Sequence, residues 1–347
     1  MKDEANLLMR EQYLLRSTFF YNRLCTQGYF SLFSQVKRFV KVEGENLDWN
    51  RRSAWNVSDS AWDAVSSIGI DPALVFAHPK VLRLNMPFLR YYRSMALLPQ
   101  KGLATLAQVS NVVALEEGKT DVGKAKPGMV QRLVCALNEV ISTVVSTSHG
   151  LSEQRLQGMM FVTAGTTIDG SWRNQIGSEG ERLIRMIIQD GLLAAGDVSS
   201  FIDRQNNTIE IDSKDARDII EGIDSAKCIN LRNGCSICFA SEPDVTFYNS
   251  EGAIVGVVEI KAGLDPAAAL ERLGAVFKSF ENALAEYPEA VTILVASCIT
   301  KEVDSRLSAS MLVRQKYVMA EITADESTKR KFVNRLRVIL GLSRQVL

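Results

Sequence analysis

The sequence predicts an α/β protein: a mixed central sheet flanked by helices, preceded by a mainly helical half. Three observations predict it. Up to about residue 150 the apolar residues recur at helical spacing. Beyond that point short apolar runs, bounded by turn residues, alternate with amphipathic stretches. The 347 residues are also enough for two units with cores of their own, and the expected division is 1–150 and 151–347.

In the first half, LLMREQYLLRSTFFYNRL, MPFLRYYRSMALL and GMVQRLVCALNEVISTVV carry the helical pattern. Pro127 stands near the start of the last of these, where a missing N–H costs nothing, and Gly150 stands past its end. Between them a loop region holds Trp49, Trp55 and Trp62, with Asp59 or Ser60 as the expected cap of a short helix. In the second half GMMFVTAGTT reads as a strand and DGSWRNQ as a polar loop. A helix through IGSEGERLIRMIIQDGLL follows, to about residue 193. Short strands are expected around TIEID and CSICFA. PDVTFYN and AIVGVVEIKAG form a strand pair joined by a turn at Asn249-Ser250-Glu251-Gly252. The helix PAAALERLGAVFKSFENALAEY ends before Pro288. A buried strand VTILVAS, a helix, the strand KYVMAEIT and a basic helix complete the order.

Composition narrows the chemistry. With 46% hydrophobic and 23% charged residues the chain has the make-up of a globular protein. Two histidines, His78 and His149, exclude sites built on several histidines, and each reads as a structural or turn residue. Of six cysteines, Cys235 and Cys238 form a CxxC pair. Cys228 could be a third zinc ligand, but a fourth is lacking, so ordinary reduced thiols are expected. The charged start MKDEANLLMREQ lacks an apolar leader, and no long apolar run is evident. The expectation is a cytoplasmic protein with no membrane contact.

Chemistry concentrates between Glu242 and Gly263. On a strand alternate residues share a face, so Val257, Glu259 and Lys261 point one way and Val258 and Ile260 the other. A strand this apolar is buried on both faces, where a Glu and a Lys need partners, and the neighbouring strand offers Asp244. Two carboxylates and an ammonium that converge would hold a hard divalent cation and a water. The competing reading is a surface hairpin whose Glu259 and Lys261 form an ordinary ion pair.

Pro243-Asp244 followed by Glu259-Ile260-Lys261 resembles the signature of the PD-(D/E)XK nucleases, from the helix near Ile176 to the strand VTILVAS. The resemblance implies the restriction-endonuclease-like core and Mg²⁺-dependent phosphodiester hydrolysis. In it Asp244 and Glu259 bind the metal and Lys261 orients the water. It also implies a helix glutamate, taken as Glu181, with Glu179 as the alternative. Chain size within that superfamily points to a type II restriction endonuclease, and FAHPKVL and YYRSMALLPQKGL resemble XcyI-type enzymes. Such a likeness implies a short palindromic GC-rich duplex target, a homodimer, a cognate DNA methyltransferase, and a first half used for DNA recognition or dimerisation. A structure-specific repair or recombination nuclease and a non-catalytic DNA-binding module are the alternatives.

Duplex DNA needs cations on its phosphates and polar side chains on its base edges. Arg173, Asn174 and Gln175 in the loop before the Glu181 helix are the first expected contacts. Arg93 and Lys101, near Arg90 and Gln100, form a second group; Tyr91 and Tyr92 read as core. Arg51 and Arg52 are expected on phosphates, while the basic closing helix reads as a solvated face. The zero net charge does not oppose this. Residues 1–150 hold 18 basic and 13 acidic side chains, and residues 151–347 hold 22 and 27, so the first half is the positive one.

Overall fold

The first unit of the chain, Met1–Trp172, is helical, and the second, Arg173–Leu347, carries the sheet. The computed structural model describes residues 2–120, 128–147, 150–211, 226–263 and 269–342; Pro127 and His149 lie outside them.

In the first unit the helices are α1 (Lys2–Thr26), α2 (Tyr29–Glu43), α3 (Asp59–Ser67), α4 (Pro79–Leu84), α5 (Leu89–Met95), α6 (Gln100–Ala107), α7 (Val112–Glu116) and α8 (Met129–Thr147). The first part of α9 (Glu153–Ala194) completes it. Phe76, Leu82, Leu89, Leu103, Leu133 and Leu137 build one core. Tyr91 and Tyr92 belong to it as expected, and each hydroxyl donates to a backbone carbonyl, of Leu74 and Ala73 respectively. By length and composition α8 could cross a membrane, yet its apolar stripe Leu133, Val134, Leu137 and Ile141 is buried in this core. The cap of α3 is Ser58, one residue before the expected pair, with its hydroxyl accepting from Ala61 N.

The expected strand GMMFVTAGTT and loop DGSWRNQ are both helix, part of α9. Leu156, Met160, Ala164 and Ile168 are buried at intervals of four, a helical face that outweighs the β-branched and glycine content between them. The division between the two compact units falls inside α9, after Trp172.

The second unit holds β1 (Val198–Ile202), β2 (Thr208–Glu210), β3 (Cys228–Leu231), β4 (Ser236–Phe239), β5 (Val245–Tyr248), β6 (Ile254–Lys261), β7 (Val291–Ala296) and β8 (Gln315–Val318). They form one mixed sheet in the order β2-β1-β3-β4-β5-β6-β7-β8. It is antiparallel up to β6 and parallel from β6 to β8. Helices α10 (Ala269–Glu286), α11 (Lys301–Ala309), α12 (Met319–Ala324) and α13 (Glu326–Ile339) cover it. Leu273, Phe280, Val303 and Leu307 pack on one face, against Val257 and Leu294. Ile184, Ile188, Phe332 and Leu336 pack on the other, with Val258, Ile260 and Ile293. The mixed sheet flanked by helices is the expected fold class.

Three details depart from expectation. Strands β1 and β3 were not anticipated: VSSFI and CINL are only five and four residues long, although Asn233-Gly234, with Gly234 at φ 85°, marks a turn directly after CINL. KYVMAEIT divides into the end of β8 and helix α12. Cys228 and Cys238 face each other across β3 and β4 and form a disulfide, so the reduced-thiol expectation fails for this pair. Cys25, Cys135 and Cys235 stand outside any disulfide.

Candidate active site

The site lies where β5 and β6 emerge from the sheet. The turn between them is set by Asn249, whose side-chain oxygen accepts from the backbone of Glu251 and Ala253, and by Gly252 at φ 81°. Register places Val245 opposite Val258, so Asp244 enters β5 beside Glu259. Asp244 and Glu259 are each 3% exposed, which removes the reading of a surface hairpin. Asp244 Oδ2 accepts from Ile260 N at 2.7 Å. The Lys261 ammonium lies 2.5 Å from Glu259 Oε2 and 3.5 Å from Asp244 Oδ2. The other oxygen of Glu259 accepts from Ser279 Oγ on α10.

Electrostatics follow from this enclosure. Burial pushes the Asp244 carboxyl above its ordinary range, against Lys261 and the Ile260 N–H, and the charge of Glu181 adds to the rise. Burial also raises Glu259, against the bonds from Lys261 and Ser279. For Lys261 burial opposes the charge, but the two carboxylates more than compensate, and its pKa is raised. Lys261 is thus a full ammonium held between two acids whose charges burial disfavours.

Glu181 stands on α9 and is placed by Gly180, which lets the helix approach the end of β6. A Cβ on Gly180 would lie 2.1 Å from that of Ala262. Glu179 is exposed and paired with Arg182 at 3.2 Å, and of these two glutamates it is Glu181 whose charge acts on Asp244. Among the described residues no group of three or more His, Cys, Asp or Glu side chains is gathered as a metal cage. The donor set is therefore two hard carboxylates, which suits a cation that keeps waters and substrate oxygens. Ser279 was missed by sequence reading. Its signal was a hydroxyl beside Phe280 on the inward stripe of an otherwise apolar helix face.

The expected DNA contacts divide. Arg173, Asn174 and Gln175 are exposed, on α9 and not on a loop. Arg51 and Lys101 are exposed as well. Arg52 is half-buried, bonded to Asp59 at 3.0 Å and set over the Trp62 ring. Arg93 is corrected: it is 0% exposed, with its Nε on Glu116 at 2.5 Å and a further bond to Leu98 O. Its sequence context, Arg90-Tyr91-Tyr92-Arg93, concealed a buried ion pair whose acid lies on α7. His78 caps α4 through Nδ1 and reaches Asp48 O, a structural role as expected.

An apolar pair would join β5 to β6 without the desolvation cost of two acids and a lysine, so the triad points to chemistry. The fold and the triad together define a restriction-endonuclease-like hydrolase. The family model described as XcyI restriction endonuclease matches residues 36–343, and the chain belongs to that family. It is 25% identical over 260 residues to the type II restriction enzyme Cfr9I of Citrobacter freundii, covering 72% of each chain. It is 27% identical over 229 residues to the type II restriction enzyme XcyI of Xanthomonas campestris pv. cyanopsidis, covering 63% of this chain and 62% of that one. The chain is accordingly an endonuclease of the type II restriction class.

Proposed function

We propose that the protein uses Mg²⁺ to hydrolyse both strands of a specific duplex sequence, with Asp244, Glu259 and Lys261 as its PD-(D/E)XK residues. The observation that carries this reading is the pair of buried carboxylates sharing one lysine at the mouth of the sheet. Asp244 and Glu259 would hold the cation, which supplies charge for the attacked phosphate and lowers the pKa of a water. Lys261 orients the nucleophilic water and offsets negative charge as it develops on the phosphate oxygens. The Ile260 N–H fixes Asp244, Ser279 fixes Glu259, and Glu181 supports the water from α9. Attack in line on phosphorus breaks the P–O3′ bond and gives a 5′-phosphate and a 3′-hydroxyl.

The exposed residues Arg51, Lys101, Arg173, Asn174 and Gln175, with Arg52, serve as the DNA contacts in this reading. A palindromic target calls for a two-fold homodimer with one site per strand, and a cognate methyltransferase protects the host's own DNA in the cytoplasm. The test is digestion of unmethylated phage or plasmid DNA with and without Mg²⁺, beside Asp244→Ala and Lys261→Ala. Discrete metal-dependent bands, absent with both variants, are expected. Cleavage confined to branched DNA would replace restriction by a repair role, and undiminished cutting by either variant would overturn the assignment of the triad.

A further inference from the structure

A second feature of the sheet unit adjoins the triad. A cleft of about 490 Å³ is walled by α9, the loop after β1, the start of β3 and the end of β4. Four cations line it, Arg182, Arg185, Arg204 and Lys227, with Glu181 as the acid among the lining residues. Arg182 is paired with Glu179, but the others are poorly matched by acids. Arg185 approaches Glu181 only to 3.9 Å and is held instead by Ala240 O and the face of Phe239. Lys227 bonds the neutral Asn206 side chain at 2.8 Å. Arg204 is exposed and meets no acid among the described residues.

The cleft leads to the acidic site along the chain itself. Ala240 and Ser241 form its wall, and Ala240 N donates to Asp244 O at 3.3 Å. Glu181 belongs to the cleft and also acts on Asp244. An anion bound in the cleft would therefore sit on the Glu181 and Ala240 side of the acidic site. In a nucleic-acid strand that anion is the backbone phosphate next to the scissile one.

We propose that this cleft binds a phosphodiester neighbouring the scissile bond of the cut strand, with Arg185, Arg204 and Lys227 as its cationic contacts. The proposal rests on the nuclease reading above and names where the strand enters. Arg185, braced by a carbonyl and a ring, presents a fixed guanidinium, while Arg204 and Lys227 add charge from the opposite wall.

The experiment measures binding of the full chain to a radiolabelled plasmid-derived duplex fragment, without divalent metal, over a range of NaCl. The proteins are wild type, Arg204→Ala/Lys227→Ala, the charge-conserving Arg204→Lys/Lys227→Arg, and Lys301→Ala as an exposed control outside the cleft. Each cation withdrawn from a phosphate lowers the slope of log K against log salt by about 0.9. The alanine pair should lower it by about 2 and weaken binding roughly tenfold or more, while the other two variants keep the wild-type slope. An unchanged slope and affinity in the alanine pair, with wild-type binding intact, would overturn the cleft assignment and leave the nuclease reading standing. Failure of the wild type itself to bind any duplex, with Ca²⁺ added as well as without, would overturn that reading, and the cleft assignment with it.

Discussion

Gly180 and Ala262 meet so closely that a Cβ on the glycine would lie 2.1 Å from the alanine's, with Met319 Sδ 3.3 Å away. This contact seats α9 on the end of β6, one residue from Lys261 and one from Glu181. In an open helix Gly→Ala stabilises by about 1 kcal/mol. At residue 180 the helix must instead move off the strand, and Gly180→Ala should destabilise by about 1–3 kcal/mol, as overpacking does. Cleavage should fall further than stability explains, because Glu181 moves with the helix. Gly177→Ala, where nothing lies within 4 Å, should raise the melting temperature, and comparing the two melts checks the contact.

Ser279 tests how far the carboxylate geometry depends on its support. Its hydroxyl donates to Glu259 in a buried setting. Hydrogen bonds to charged groups contribute about 1.5–3 kcal/mol, so Ser279→Ala should cut the cleavage rate roughly tenfold or more. The half-saturating Mg²⁺ concentration should rise with it, because Glu259 is then held through Lys261 alone. A slower enzyme with an unchanged Mg²⁺ requirement would show that Ser279 serves packing alone.

The Arg93–Glu116 pair makes the opposite kind of prediction, one of stability and not of DNA binding. Both side chains are fully enclosed, and Gln100 Nε2 also donates to Glu116 at 2.7 Å. Arg93→Met removes the nearest cation from a buried carboxylate, leaving Glu116 only Gln100 and, at 3.8 Å, Arg90, and should cost about 3 kcal/mol in urea unfolding. Arg93→Met/Glu116→Leu should recover part of that deficit, since the apolar pair needs no desolvation while Arg90 and Gln100 lose their acid. Arg51→Ala, at an exposed position, should leave the unfolding midpoint within about 0.5 kcal/mol.

What the sequence disclosed depended on how local the determining contact was. The β5–β6 hairpin was legible because Asn249 and Gly252 write a turn and the strand alternation sorts Glu259 and Lys261 from Ile260. Burial of Asp244 was legible for the same reason. The segment 158–167 was misread, since Val162, Thr163, Thr166 and Thr167 suggest a strand, while the four-residue spacing of Leu156, Met160, Ala164 and Ile168 decides for helix. Partners distant in sequence were out of reach. Ser279 comes 20 residues after Glu259, Glu116 comes 23 after Arg93, and nothing local marks either pairing. The cleft cations were equally hidden, because α9, β3 and β4 supply its walls from separate stretches of chain.

His78 gives the first unit a pH dependence of defined sign. Its Nδ1 accepts from Lys80 N at the start of α4, and its Nε2 lies 3.2 Å from Asp48 O, an arrangement that requires the neutral ring protonated on Nε2. Burial holds its pKa below the usual 6.5, only partly opposed by Asp48. A depressed pKa means that the stabilisation is fully present above 6.5 and is lost as the pH falls toward and through the folded value. A proton on Nδ1 removes the helix cap, which is worth about 0.5–2 kcal/mol. Trp49 and Trp55 pack edge-on to the ring, with centroids at 5.0 and 4.6 Å, so tryptophan fluorescence reads the event. Urea unfolding followed by that signal should show stability falling as the pH drops below 6.5. His78→Asn keeps a cap oxygen but has nothing to titrate, and it should flatten this dependence. An equal slope in the variant would assign the acid sensitivity to other groups.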